Sequence, residues 1–567
     1  MIEELTPRVL MSMMILVIVV VPTLTLLLST VLLYRYRRAV RRAMDVTSGF
    51  HDPTLVRETA INSRPVDDVV TERNGKSDAG DVCRGVFRTP WRNALRYLIA
   101  GLVFALVMAL AAHQVYPSSL GVPGFGVPGF LIAVWIYLWP AFLAMALIMP
   151  GHWWRWALGF LGYCAVYGLL SLWASTNLNL PEYRFGAAVV PARSTVTPEA
   201  MIRMWLAVDG VPTLLMLLCF NRWLRAISTL VLALVTAAIS GLMAVYLALF
   251  SPRGVDVAVA VATGLNIPIQ WLLLTIFLGS LIGFGALGWV LVRWIARAYQ
   301  RGRLSDQSLL LDALWVLFAS TYSMWLVRGG VAWVATGPLA FVAFKLSWWL
   351  AAGLSTRALQ RPVGLTFLRV FSLGRRSEAL LEGVAKYWRH VGSIQLITGP
   401  DLATSTVQPH QFLDFLGGKL THHFVGDRTS LERSLAERDG GANPDGRFRI
   451  NNFFCHADSW KAVLPRLVKE GDAVLMDLRS FKAENAGCTH ELRHLVAKVP
   501  FRRCLLVVDS TTSQGFLDEI LASASADLQP GSPNFARPLE ELRRFSIGSG
   551  TAETRALVQR LVETTDA

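Results

Sequence analysis

Long apolar segments dominate the first two-thirds of the chain. About nine of them have the roughly 20 residues that a helix needs to cross a hydrocarbon core about 30 Å thick. Their approximate limits are Met11 to Tyr34, Leu95 to Val115, Phe130 to Met149, Trp154 to Trp173, Met201 to Phe220, Ile227 to Phe250, Ile269 to Ala296, Leu309 to Val327 and Val331 to Leu354. We therefore expect a multi-pass α-helical membrane domain over residues 1–360, with a polar cytoplasmic loop at residues 35–93.

The pattern changes after about residue 360, where short apolar runs alternate with segments of helical periodicity. Strands are predicted at Leu365 to Phe371, Ile394 to Thr398, Arg447 to Cys455, Ala473 to Leu478, Cys504 to Val508 and Arg543 to Ile547. Strands that alternate with helices indicate βαβ units and a parallel sheet with helices on both faces. Residues 361–567 are therefore predicted to form a separate cytoplasmic α/β domain with a doubly wound, Rossmann-like sheet.

Composition and charge support the membrane interpretation. The chain is 53% hydrophobic and only 17% charged, whereas soluble proteins carry about 25% charged residues. Its net charge of +14 comes largely from Lys and Arg at the ends of the apolar segments. We therefore expect the lipid bilayer, and no nucleic acid, as a partner.

The positive charges also predict the orientation of the chain. A cluster follows the first apolar segment and contains Arg35, Arg37, Arg38, Arg41 and Arg42. The positive-inside rule places this end in the cytoplasm, so the N-terminus is expected outside. An odd number of spans then leaves the C-terminus in the cytoplasm, as expected for a multi-pass protein of a bacterial inner membrane.

Three charged residues lie within the predicted spans: Asp209, Asp312 and Lys345. Each is a candidate functional group, because a charge in hydrocarbon is costly unless it is paired or hydrated. Asp312 and Lys345 fall at similar depth on neighbouring spans, so we predict an ion pair between them. A structural role for this pair is favoured over an ion pathway, and the sequence suggests no partner for Asp209.

The ends of the predicted strands mark a candidate ligand site. In doubly wound sheets, ligands bind beyond the carboxyl ends of the strands. The residues predicted at this edge are Phe371, Gly399, Asp401, Arg479 and Asp509. No G-x-G-x-x-G or Walker-type loop is present in the sequence, which argues against classical dinucleotide and P-loop nucleotide binding.

The segment from His490 to His494 fits the pattern H-E-x-x-H. On a helix, His490 and His494 would share a face and could bind zinc, with Glu491 as the base. This helix is predicted between two parallel strands, and no third ligand follows at a recognised spacing. We therefore expect no metal, and a zinc hydrolase is kept as an alternative.

The same region resembles the central part of Toll/interleukin-receptor-like (TIR) domains. The resemblance covers about residues 447–509 and rests on the strand AVLMDL, a loop, and Cys488-Thr489-His490-Glu491-Leu492 at the start of a helix. The family has Trp-Cys-x-x-Glu-Leu at this place, whereas Gly487 precedes the cysteine here. In enzymatic members this Glu cleaves the nicotinamide–ribose bond of NAD, so the resemblance implies Glu491 as the catalytic residue and NAD as its ligand.

These observations lead to three functional hypotheses. The first is a membrane protein with a cytoplasmic TIR-like domain for signalling, sensing or interaction, which could form a homo-oligomer through that domain. The second is a membrane-anchored NAD-cleaving hydrolase. The third is a transporter with a regulatory cytoplasmic domain.

Overall fold

The structure is a computed structural model, and it divides into two compact units. It describes residues 19–50, 79–120, 126–149, 153–177, 183–185, 188–190, 198–219, 224–326, 329–352, 363–370, 375–398, 407–548 and 551–565. The first unit contains residues 1–32, 90–298 and 306–356, and the second contains residues 33–89, 299–305 and 357–567.

The first unit is built mainly of helices. The helices before residue 360 are α1 Val21–Met44, α2 Ala79–Leu120, α3 Gly126–Tyr137, α4 Trp139–Ile148, α5 Trp153–Asn177, α6 Pro198–Trp205, α7 Val211–Cys219, α8 Arg225–Leu249, α9 Pro252–Gly264, α10 Ile269–Gln300, α11 Asp306–Leu326 and α12 Thr336–Ala352. A π turn at Leu206–Gly210 joins α6 to α7, a 3-10 turn at Val331–Ala335 precedes α12, and β1 Tyr183–Phe185 pairs with β2 Ala188–Val190 in an antiparallel hairpin.

Eight helical segments in the described residues are long and apolar enough to cross a membrane. They are Pro90–Tyr116, Gly126–Ile148, Trp154–Trp173, Ile202–Cys219, Ile227–Leu249, Ile269–Gln300, Asp306–Leu326 and Ala332–Ala351. They correspond to the second through ninth predicted spans. The first predicted span begins outside the described residues and continues into α1, so the total number of spans stays a prediction.

The outer surface of these helices is apolar. On α10, the side chains of Ile282, Val290 and Trp294 are 71%, 60% and 60% exposed. Such a surface is unfavourable in water, but it is compatible with a bilayer because the lipid tails are as apolar as these side chains. The chain is therefore a multi-pass membrane protein.

The core of the first unit lies where α2, α11 and α12 pack together. It contains the buried rings of Phe104, Trp315 and Phe344. Small residues let the helices approach closely, since a Cβ at Gly337 would lie 2.0 Å from the Ser323 hydroxyl oxygen. Close packing of this kind replaces the hydrophobic effect as the force that holds helices together in lipid.

The second unit contains a seven-stranded sheet in which all pairings are parallel. Its strands are β3 Leu365–Arg369, β4 Ile394–Thr398, β5 Phe424–Val425, β6 Ile450–Cys455, β7 Ala473–Asp477, β8 Cys504–Val508 and β9 Arg543–Ser546. The helices are α13 Arg375–Trp388, α14 Pro409–Leu416, α15 Arg428–Ala436, α16 Trp460–Glu470, α17 Ala486–Lys498, α18 Gln514–Ala526 and α19 Thr551–Thr565, with 3-10 turns at Leu420–His423, Phe501–Arg503 and Leu539–Glu541.

Both faces of this sheet are covered by helices. Leu365 and Phe367 of β3 point into a core formed with α13 and α19, while Leu368 points into a second core formed with α16, α17 and α18. Alternate residues of a strand face opposite sides, so this burial requires apolar layers on both sides of the sheet. The prediction of a parallel α/β sheet is confirmed.

The winding of the sheet defines where a ligand site is expected. The strand order is β5-β6-β4-β3-β7-β8-β9, so the chain leaves β3 towards β4 and later continues on the other side of β3 at β7. The carboxyl ends of β3 and β7 therefore form the topological switch point. Without β5 and β6, the remaining five strands have the 2-1-3-4-5 order of flavodoxin-like sheets.

Several elements differ from the sequence predictions. Periodicity alone predicts one helix from about Gln411 to Phe424, but α14 ends at Leu416 and β5 begins at Phe424. β5, α15 and α18 were not predicted, and β5 has only two residues. Helix α1 continues to Met44 and helix α2 begins at Ala79, so both ends of the segment assigned to a loop at residues 35–93 are helical.

Candidate functional site

A buried ion pair occupies the carboxyl end of β7 at the switch point. Asp477 is fully buried and accepts two side-chain hydrogen bonds from Arg479, each 2.8 Å long. The Ser377 hydroxyl, at the start of α13, donates to the same carboxylate at 3.2 Å. With these donors the buried charge is compensated, which is the condition for a buried ion pair to be tolerated.

A second ion pair connects α13 with the end of β8. Arg376 binds the carboxylate of Asp509 and donates to the Ser480 hydroxyl at 3.1 Å. Although burial opposes ionisation, hydrogen bonds from Thr511 and the charge of Arg376 lower the pKa of Asp509. Arg479 also donates to the Arg376 carbonyl oxygen at 2.8 Å, so the two ion pairs form one network.

Ser480 adds an unusual backbone conformation to this network. Its φ of 57° lies in the left-handed region, which costs a non-glycine residue free energy and is enriched at functional sites. The surrounding contacts hold it, since the Ser480 N–H donates to the Thr511 hydroxyl at 3.0 Å. The sequence offers no signal for this conformation.

The network contains two of the residues predicted for the ligand-binding edge. Arg479 and Asp509 lie together, joined through Arg376. Phe371, Gly399 and Asp401 lie outside the described residues. The switch point therefore presents guanidinium, hydroxyl and carboxylate groups, which can bind the phosphate and ribose groups of a ligand by charge and hydrogen bonding.

Glu491 lies near the same end of the sheet, on α17. Its side chain is only 1% exposed, and its Oε2 atom has no hydrogen-bond partner in the described part of the chain. One turn earlier, Cys488 donates to the Arg369 carbonyl oxygen at the end of β3. Burial raises the pKa of Glu491 to about 8, and the charge of Arg369 opposes this only in part. The carboxyl is therefore protonated at neutral pH.

The H-E-x-x-H segment does not gather a metal site in the described part of the chain. His490 is exposed, and its ring packs edge-on against Trp460 at 5.6 Å. His494 is half-buried, and burial lowers its pKa to about 4. No group of three or more His, Cys, Asp or Glu side chains suited to a metal ion is found among the described residues.

The predicted ion pair between Asp312 and Lys345 is present. The Lys345 ammonium donates to both Asp312 carboxylate oxygens at 2.8 Å. The same ammonium lies 5.4 Å from the centre of the Trp348 ring, a distance that allows a cation–π interaction. Asp209, the third charged residue of the spans, instead accepts a hydrogen bond from Tyr322.

The second unit also includes the end of α1, which contacts the carboxyl end of β6. Asp458 accepts hydrogen bonds from the N–H groups of Ser48 and Gly49, at 2.9 and 2.7 Å. His456 Nδ1 donates to the Ala43 carbonyl oxygen at 2.7 Å. Although the slight burial of Asp458 acts in the opposite direction, the hydrogen bonds from Ser48 and Gly49 lower its pKa to about 2.

The amino end of β6 is bound to the segment that follows α10. Arg449 donates to the carbonyl oxygens of Tyr299 and Leu304, and its guanidinium lies 4.0 Å from the centre of the Tyr299 ring. Ser305 and Asp445 are joined by a hydrogen bond. Sequence reasoning missed these residues. It placed Asp458 at the carboxyl edge of the sheet but did not predict its contacts with Ser48 and Gly49, because neither contact belongs to a local motif.

Comparisons with protein-family models, curated proteins and solved structures found no match to this chain. Its function is therefore inferred from the contacts described above.

Proposed function

We propose that this chain is a membrane signalling or sensing protein whose α/β domain acts as a TIR-like effector or interaction module. The observation that carries this proposal is that the two ends of β6 are bound by the chain at the ends of α1 and α10, two helices that begin in the first unit. The end of α1 is bound at Asp458, and the residues after α10 are bound at Arg449.

A continuous helix can transmit a displacement along its length. α1 is uninterrupted over 24 residues, or about 36 Å at 1.5 Å per residue. A shift of α1 would act on the Asp458 contacts and hence on β6. β6 pairs with β4, and β4 pairs with β3 at the switch point. This is a chain of packed elements through which coupling could travel.

The charge distribution supports a cytoplasmic position for the α/β domain in a bacterial-type inner membrane. Arginines are concentrated at the ends of α1 and α10, and the positive-inside rule assigns such ends to the cytoplasm. They are Arg35, Arg37, Arg38, Arg41, Arg42, Arg293, Arg297, Arg301 and Arg303. A reporter fused after Ala567 should be active only when it remains in the cytoplasm, and activity that requires export would contradict this orientation.

The coupling can be tested by amide hydrogen exchange on the full-length protein in lipid nanodiscs. Asp458→Asn should speed exchange at Ser48 and Gly49 and also in β6 and β4, because it weakens the acceptor that anchors the end of α1. Asp527→Asn changes an exposed acid and is the matched control, with no effect expected. Faster exchange confined to residues 46–50 would argue against transmission into the sheet.

NAD cleavage is a second candidate function, favoured by the protonated carboxyl of Glu491 near the switch point. A carboxyl with a pKa near neutral is suited to general acid–base catalysis, and the protonated form of Glu491 can donate a proton to a leaving group. The full-length protein incubated with NAD should then release nicotinamide. Glu491→Gln should abolish the release and the exposed control Glu484→Gln should not. Absence of release from the wild type, or release that Glu491→Gln leaves intact, would end this hypothesis.

A further inference from the structure

Asp209 places a fully buried carboxyl near the middle of a membrane-spanning segment. The segment runs from Ile202 to Cys219, and the Asp209 side chain is 0% exposed. It lies in the π turn at Leu206–Gly210. π turns are rare and occur often at functional sites, because they change the direction of side chains within a helix.

The carboxyl group of Asp209 is only partly satisfied. Its Oδ1 atom accepts a hydrogen bond from the Tyr322 hydroxyl, and its Oδ2 atom has no hydrogen-bond partner among the residues that the structure describes. The titratable groups that face it are phenols: Tyr137 of α3, Tyr163 and Tyr167 of α5, and Tyr322 of α11. Over the described ranges no basic side chain pairs with Asp209.

The surroundings of the carboxyl are closely packed aromatic rings. The ring centres of Tyr137 and Tyr322 are 4.8 Å apart, and Trp139 lies 4.8 Å from Tyr163 and 5.2 Å from Trp205. A metal cation such as Ca²⁺ requires six to eight oxygen ligands, whereas one carboxylate and a few phenol oxygens face this point. The arrangement favours a proton over a metal ion.

An ionised carboxylate at this place would be costly. A charge near the centre of the bilayer costs several kcal/mol unless a partner or water compensates it, and the one neutral donor, Tyr322, compensates it only in part. Asp312 avoids the cost because Lys345 supplies a positive charge. Asp209 can avoid it by carrying a proton.

We propose that Asp209 is a proton-binding site of the membrane bundle. In the packed arrangement the carboxyl is protonated: a hydronium ion gives its proton to a carboxylate oxygen, an O–H bond forms there, and a water molecule is left. Release returns the proton to a water molecule, and it requires the π turn and Tyr322 to move apart so that water reaches Oδ2. This site does not depend on the function proposed for the α/β domain.

The test is infrared spectroscopy of the full-length protein in nanodiscs at neutral pH. A protonated carboxyl absorbs at its own C=O stretching frequency, which is separate from the bands of a carboxylate. The difference spectrum between wild type and Asp209→Asn should contain this band. Asp256→Asn changes an exposed acid of α9 and should remove no such band.

A second variant tests the local geometry without removing the carboxyl. Tyr322→Phe deletes the donor to Oδ1, so the C=O band should remain and shift to higher frequency, because a hydrogen bond weakens the C=O bond. A wild-type spectrum at pH 7 without the Asp209-dependent band would overturn the proposal. A band whose frequency is the same in Tyr322→Phe would also overturn it, even if Asp209→Asn failed to fold.

Discussion

The membrane bundle and the α/β domain each contain an acid that is ion-paired with a basic side chain and a buried acid that forms no ion pair among the described residues. In the bundle, Asp312 is paired with Lys345, while Asp209 accepts a hydrogen bond from the Tyr322 hydroxyl. In the α/β domain, Asp477 is paired with Arg479, while Glu491 has an oxygen without a partner. The two regions have different surroundings, yet in each of them one of these carboxyl groups is ion-paired and the other is not.

This parallel teaches that local partners, more than the surrounding solvent, decide the charge of a buried acid. Ionisation is penalised by burial in a soluble core as well as in a bundle. A guanidinium or ammonium group in direct contact offsets that penalty, and the acid then serves to hold elements together. An acid without such a group is stable in its neutral form, and it can respond to pH or take part in proton transfer.

The largest expected effect comes from breaking the pair in the α/β domain. Arg479→Ala leaves the fully buried Asp477 without its charged partner, and this should reduce the free energy of unfolding by about 3–5 kcal/mol. Amide exchange of β7 and β8 in the full-length protein measures the change. Arg502→Ala, at an exposed arginine, is the control and should have little effect. A loss below about 1 kcal/mol would show that Asp477 does not need Arg479.

The corresponding change in the bundle should be smaller. Asp312→Asn removes the charge that binds Lys345, whose side chain is 35% exposed and can turn towards polar surroundings. We expect a loss of about 1.5–3 kcal/mol, the range for hydrogen bonds to charged groups. Folded yield and melting temperature in detergent measure it, with Asp256→Asn as the control. An unchanged yield and melting temperature would remove the structural role of the pair.

The extent to which the sequence predicted these features depends on how local their causes are. β8 has the bounds that its apolar run predicts, because strands buried on both faces are almost wholly apolar. β4 also has its predicted bounds, although it includes Gln395 and Thr398. The two-residue β5 leaves no such pattern. Spans are predictable for a similar reason, since hydrocarbon thickness fixes the length of each apolar helix.

The candidate sites follow the same division. The pairing of Asp312 with Lys345 is predictable from opposite charges at one depth. The contact of Asp209 with Tyr322 is not, because a phenol is unremarkable in an apolar span. Arg479 and Asp509 are predicted from strand ends, but the hydrogen bond between Ser48 and Asp458 joins residues 410 positions apart. Such contacts depend on the fold as a whole and leave no mark in a local pattern.

The smallest effect concerns the pH dependence of the α/β domain. Glu491 keeps its proton in the folded state up to about pH 8, whereas its ordinary pKa is 4.5. The unfolded chain therefore loses this proton first, and folding stability falls as pH rises between these values. Burial lowers the pKa of three histidines to about 3 for His390 and about 4 for His410 and His494, from 6.5. Below pH 6.5 the unfolded chain binds protons at these histidines before the folded chain does, so the folding stability falls as pH falls.

Because Glu491 and the histidines change the stability in opposite directions, the domain should be most stable near pH 6.5. Above that pH the change in stability comes from Glu491. Between pH 6.5 and 8 the free energy of unfolding should fall by about 1.4 kcal/mol per pH unit, or about 2 kcal/mol in all. Glu491→Gln should abolish this decline while leaving the loss below pH 6.5 unchanged, because the histidines remain. Amide exchange of β7 and β8, measured from below pH 6.5 up to pH 8, follows the loss of stability on both sides of the maximum. If the free energy of unfolding of Glu491→Gln still fell between pH 6.5 and 8, Glu491 would not be a neutral buried acid. The contrast between Glu491 and the ion-paired Asp477 would then be wrong.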